Sequence, residues 1–131
     1  MASYQIYKSG IGSVGSYQIA GVPYITGSAA LTVGAEHQIS FPTVARSVQV
    51  IMSGSSTEMR VHFNPTGSGD VVTGRHYVVL DSFKSSVTMN VRCKEIYVSS
   101  HAGTCDYTVI AELTGIEAGE MGALTGSGLT E

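Results

Sequence analysis

VARSVQVIMSGSSTEMRVHF, residues 44–63, carries the hydropathy period on which the fold reading rests. Val48, Val50 and Met52 fall on alternate positions, and after Ser53-Gly54-Ser55-Ser56 so do Met59, Val61 and Phe63. A period of two marks a strand with one face to bury. Two such runs around a Ser/Gly turn predict a hairpin, which needs further strands against it to be stable.

Working outward, Gln38–Phe41 is expected to be a short strand stopped by Pro42, because proline cannot donate to a ladder. Downstream, Asn64 to Asp70 is a loop by its Pro, Gly and Ser content. Arg75 to Leu80 reads as a strand. Ser85 to Val98 reads as one long strand or two broken near Cys93-Lys94-Glu95, with Val87, Met89 and Val91 on one face. The last strong strand carries Tyr107, Val109, Ala111 and Leu113. Some seven or eight strands at even spacing, with no helix, predict an all-β fold: an antiparallel β-sandwich or barrel-like jelly roll. The expected organisation is an N-terminal arm over 1–35, a β-sandwich domain over 36–114 and a Gly-rich tail over 115–131, either flexible or a second docking arm.

The arm holds Tyr4, Tyr7, Tyr17 and Tyr24 among many glycines, and Ser3-Tyr4-Gln5-Ile6 recurs as Ser16-Tyr17-Gln18-Ile19. Aromatics are unusual in a free tail. Tyrosine burial alone does not offset the entropy of ordering such a segment, so the arm is expected to order where its backbone also pairs. These four tyrosines are the candidate partner-binding residues, and the competing reading is a peripheral strand of the same domain.

Composition narrows the function classes. Charged residues are 13% of the 131-residue chain, the net charge is -3, and Lys and Arg together number seven, so no basic stripe exists to hold nucleic acid. No apolar run is long enough for a membrane helix, and the start lacks the apolar core of a signal peptide, so a chain made and used without secretion is expected. Cys93 and Cys105 are expected to be reduced, partly buried thiols on neighbouring strands, with a cross-strand disulfide as the alternative.

His37, His62, His76 and His101 show no metal-ligand spacing, so no metal and no other cofactor is expected. His62 and His76 are expected to be solvated on a sheet face, with Glu58 and Asp106 the carboxylates placed near strands. Gly10-Ile11-Gly12-Ser13-Val14-Gly15 matches a dinucleotide fingerprint in letters but lacks the strand before it and the helix after it. With no nucleophile elbow either, the chain is expected not to be an enzyme.

The segments GVPYITGS (21–28), HQISFPTVARSVQVI (37–51), MRVHFN (59–64), HYVVL (76–80), SSVTMNVRCKEIYVSS (85–100) and YTVIAELTGI (107–116) resemble a family of small virion proteins of tailed bacteriophages, notably marine and cyanobacterial ones. The resemblance covers residues 16–130. It implies a β-rich structural protein, a capsid decoration or cement protein made in the host cytoplasm and resident on the capsid surface. Its implied partners are the major capsid protein and copies of itself, as a dimer or trimer. The rival expectations are a tail, adaptor or fibre-associated virion protein, or a glycan-binding surface module.

Overall fold

The computed structural model describes residues 21–54, 58–80, 86–101 and 103–131. Among the described residues, seven antiparallel strands make one sheet: β1 (Val22–Leu31), β2 (Glu36–Gly54), β3 (Met59–His62), β4 (Val78–Leu80), β5 (Ser86–Met89), β6 (Cys93–Ser100) and β7 (Cys105–Glu117). Their order is β1-β7-β2-β6-β3-β4, with β5 also paired to β2. The sheet is not closed into a barrel, and its architecture is consistent with an all-β sandwich. Among the described residues, the one helical element is a 3-10 turn over Ala118–Glu120.

β2 organises the molecule. Its first part pairs with β6 through Glu36↔Ser99 to Ser40↔Glu95, and its second part pairs with β5 on one side and β7 on the other. The register against β6 then jumps to Ala45↔Cys93, so five steps along β2 answer two along β6. Pro42 lies inside that bulge. There its missing N–H costs no ladder bond, so the strand expected to stop at Pro42 continues instead. A bulge increases local bend and twist, which lets the two halves of the sheet share one core.

That core collects the alternate residues of both halves. Val48, Val50 and Met52 of β2 and Tyr107, Val109, Ala111 and Leu113 of β7 pack with Met59, Val61, Ile96 and Val98. Val87, Met89 and Val91 pack partly buried against the same cluster, on the face expected of them.

Several connections differ from the sequence reading. β2 and β3 do not form a hairpin, because β6 lies between them. Two similar alternating runs specify burial but not which neighbour each accepts. The strand expected from Arg75 shrinks to Val78–Leu80, since Arg75 has a φ of 60° at the end of a series of turns. The 85–98 segment breaks at Asn90-Val91-Arg92, just before Cys93. β1 lies within the stretch read as the arm, and pairs with β7 from Val22↔Leu113 to Leu31↔Cys105.

Residues 118–131 fold back onto the domain. Met121 joins Val44 and Ile116 in a second small cluster that Leu124 packs against. The Leu124 carbonyl accepts a hydrogen bond from the Asn64 side chain, and the Thr130 carbonyl accepts one from the Asp70 amide.

The two cysteines are buried and not joined by a disulfide. They are not on neighbouring strands. Ala45 of β2 separates Cys93 of β6 from Leu113 of β7, and Cys105 lies a further eight residues along β7. Eight extended residues span about 26 Å, far beyond disulfide reach.

Candidate functional site

Because Val48, Val50, Val109 and Ala111 point into the core, their neighbours Ser47, Gln49, Ile51, Ile110 and Glu112 point out. Register places Ile25 of β1 opposite Ile110 of β7, and Ile110 opposite Gln49 of β2. Ile51 is the diagonal neighbour of Ile110, within reach for long side chains. Ile25 is 67% exposed on β1, the edge strand among the described residues, while Ile51 and Ile110 are half-buried. The result is a short apolar stripe running across three strands on the outer face. Val22, at 62% exposure, marks the start of the same edge strand.

One residue pair further along the strands, this stripe meets a surface cleft of about 460 Å³ lined by Arg46, Ser47, Asn90, Arg92 and Glu112. The bulge in β2 brings Arg46 to its wall. Arg46 Nη2 donates to Glu112 Oε2 at 2.9 Å, and Ser47 Oγ donates to Glu112 Oε1 at 2.7 Å. These bonds, the one from Arg46 foremost, hold the Glu112 carboxyl below its ordinary range. Asn90 and Arg92 come from the break between β5 and β6. Gly21, where the described chain enters β1, lies against Glu112. A Cβ there would sit 2.6 Å from the Glu112 Cβ, so Gly21 sits at the rim of the cleft.

The outer face of the other half is a closed polar network. His62 is 1% exposed, which corrects the expectation of a solvated histidine. Its Nδ1 lies 2.6 Å from the Asn64 carbonyl, which can only accept, so Nδ1 carries the proton. Nε2, 2.9 Å from Ser99 Oγ, then accepts from that hydroxyl. The ring stacks on Tyr97 with an interplanar angle of 3°, and Glu36 Oε2 stands 3.8 Å from Nε2. Burial lowers the His62 pKa against smaller opposing effects of the Asn64 carbonyl and Glu36. The 64–77 loop covers this face, with the Thr66 amide donating to Glu36.

Of the other histidines, His37 Nδ1 lies 2.8 Å from the Tyr107 hydroxyl, and His76 precedes β4 in the loop rather than sitting on a strand. Among the described residues, no group of three or more His, Cys, Asp or Glu could hold a metal ion, and no helix is long and apolar enough to cross a membrane.

No family model, curated protein or solved structure matches the chain. Of the four tyrosines singled out from sequence, Tyr24 lies on β1 and packs edge-on against Phe41 with ring centroids 5.5 Å apart. It is half-buried on the core side, and so anchors the edge strand rather than facing outward. Tyr4, Tyr7 and Tyr17 lie outside the described residues.

Sequence reasoning missed the cleft. The alternation of β7 already placed Glu112 on the outward side. What brings Arg46, Asn90 and Arg92 to it is the bulge and the pairing of β2 with both β5 and β7, neither of which a linear pattern reveals.

Proposed function

We propose that this chain is a structural docking protein of a phage virion: a capsid decoration, or cement, protein that binds the outside of the head and bridges shell subunits. The observation that carries the docking part is the β1 edge, which no other strand among the described residues pairs on its outer side. It bears Ile25 at 67% exposure on an outer face that nothing among the described residues covers. The virion assignment rests on the resemblance of the core and turn segments. The same edge leads directly back into the segment holding Tyr4, Tyr7 and Tyr17. An exposed strand edge offers unpaired backbone groups to a partner, and apolar side chains beside it supply area without requiring charge.

The mechanism is adhesive. A DNA-filled shell is under outward pressure, and a protein that spans neighbouring subunits adds contacts that rupture must break. Repetition over the lattice makes individually weak contacts effective together. The partner is then the major capsid protein, with self-association of the decoration protein as a dimer or trimer.

Imaging intact particles and counting copies against the major shell protein tests this reading. Tens to hundreds of copies on the head lattice support it. A dozen or fewer at one vertex or on the tail would move the function to tail assembly or host recognition. An Ile25→Asp variant is expected to keep its fold, since the residue is exposed, and to lose binding to shells lacking the protein. Wild-type-like shell binding by that variant would remove β1 from the interface.

A further inference from the structure

Two stretches distant in sequence are fastened to each other over the buried His62. The Asn64 side chain donates to the Leu124 carbonyl at 2.7 Å, and the Asp70 amide donates to the Thr130 carbonyl at 2.8 Å. Gly69 sits where the two stretches meet. Its φ of 49° favours glycine, and a Cβ there would collide with the Thr130 carbonyl. Residues 124–131 therefore rest on the 64–77 loop. Met121 is anchored instead on the body of the domain, buried with Val44 and Ile116 and held at its carbonyl by Lys94 Nζ at 2.9 Å.

The loop in turn is held to the sheet by one carboxylate and one imidazole. The Thr66 amide donates to Glu36 Oε2 at 2.9 Å, and His62 Nδ1 donates to the Asn64 carbonyl at 2.6 Å. The same Glu36 oxygen stands 3.8 Å from His62 Nε2, which accepts from Ser99 Oγ. A neutral ring leaves Glu36 to the loop. A protonated ring makes Nε2 a donor, and the carboxylate 3.8 Å from that cation is the one that holds Thr66. Two other titratable groups face the ring: Arg60 on β3, which opposes the cation, and Tyr97 on β6, which stacks on it and gives its hydroxyl to Glu95. The loop meets the ring through the uncharged Asn64 carbonyl.

We propose that the 64–77 loop and residues 124–131 form a latch that acid opens: proton uptake by His62 draws Glu36 from the Thr66 amide to the imidazolium, and the loop and C-terminal segment lift together from the sheet while Met121 stays anchored. Opening lets water reach a cation that the closed site, 1% exposed, excludes. The proton and the open state therefore favour each other. The latch lies on the covered half of the sheet, away from β1, and works whether or not the β1 edge docks to a shell.

Amide hydrogen exchange of the full chain by NMR, corrected for intrinsic rates and followed from pH 7.5 to 5.0 with and without low urea, tests the latch. The Asp70 amide reports the bond to Thr130, and the Thr130 amide reports the C-terminal turn it makes with Gly126. Their protection is expected to fall together by up to about tenfold per pH unit below 6.5, through an opening that low urea leaves unchanged, whereas Val109 of the core exchanges through a urea-dependent one. His62→Asn, neutral at every pH, should remove the pH dependence, and Gly69→Ala should lower both protections already at pH 7.5. Should His62→Asn not fold, the wild-type ring serves in its place, since the loss of protection should level off only at the pH where the His62 ring protons titrate. Protection that does not change with pH, a loss that levels off before the ring titrates, or an opening as urea-dependent as that of Val109 overturns the proposal.

Discussion

Lowering the pH from 7.5 to 5.5 should weaken this fold through one residue, His62. Its imidazole is neutral in the folded state, donating from Nδ1 to the Asn64 carbonyl and accepting at Nε2 from Ser99. Protonation would oblige Nε2 to donate, in a site 1% exposed where the nearest carboxylate oxygen, on Glu36, is 3.8 Å away and already takes the Thr66 amide. The charged groups facing the ring act in opposite directions, with Glu36 favouring the cation and Arg60 disfavouring it, and burial outweighs them.

The folded pKa therefore lies below the unfolded value of 6.5. The unfolded chain takes up the proton first as pH falls. The stability conferred by the neutral ring is fully present above about pH 7 and declines as pH drops through 6.5, levelling off only below the folded pKa. The limiting slope is about 1.4 kcal/mol per pH unit, so up to about 1.4 kcal/mol is lost by pH 5.5. Urea denaturation of the wild type and of His62→Leu at fixed ionic strength measures this, because other titrations cancel in the difference between the two curves. The variant itself should be about 2–4 kcal/mol less stable at pH 7.5, since it strands the Ser99 hydroxyl and the Asn64 carbonyl. A wild-type-minus-variant difference that does not change with pH would refute the assignment of His62 as a neutral, buried hydrogen-bonded group.

Thr114→Val should cost about 1–2 kcal/mol in urea melts, because Thr114 Oγ1 donates to the Val44 carbonyl at 2.7 Å and receives the Ile116 amide at 3.2 Å, all buried. Met121→Ala should cost about 2–4 kcal/mol by emptying the small cluster with Val44 and Ile116, and proteolysis in the native state should then begin within residues 118–131. Cys93 should resist iodoacetamide at pH 8 until urea unfolds the protein, since burial pushes its thiol pKa up to about 12; mass spectrometry of labelled peptides reads this directly, and rapid native labelling would contradict the packing of β6 against the core.

The strands were legible where alternation was clean. β7 alternates buried and half-buried residues from Cys105 to Leu113, as its sequence requires of a strand with one face on a core. Pairing was not legible, because β2, β3 and β7 all present similar alternating faces, and any of them satisfies the burial of another. Pro42 misled for a definite reason: proline ends a strand only where its N–H would be needed, and a bulge removes the need. His62 misled because its flanking residues predict its side of the strand correctly but say nothing of the 64–77 loop that covers that side. The cleft was invisible for the same class of reason, since its walls come from β2, β7 and the β5–β6 break.

The two outer faces of this sheet have opposite fates, and the difference bears on function. The half built from the start of β2, β6 and β3 buries His62, Tyr97 and Ser99 beneath a loop, and the C-terminal segment holds that loop through Leu124 and Thr130. Covering it consumes chain, and the polar groups beneath would be left half-satisfied if the cover were loose. The half built from β1, β7, the end of β2 and β5 instead presents Ile25, with half-buried Ile51 and Ile110, beside the cleft lined by Arg46, Ser47, Asn90, Arg92 and Glu112. Full burial of an isoleucine side chain contributes on the order of 1.5–3 kcal/mol, and most of the Ile25 surface is still open to claim. A single copy gains only modest affinity from one such residue. Copies bound to a repeating lattice gain that increment at every site, and linkage between sites turns it into retention. On the proposed docking role, a surface of this strength suits an array of repeated sites better than a solitary partner, so the proposed docking and the proposed many-copy arrangement stand or fall together.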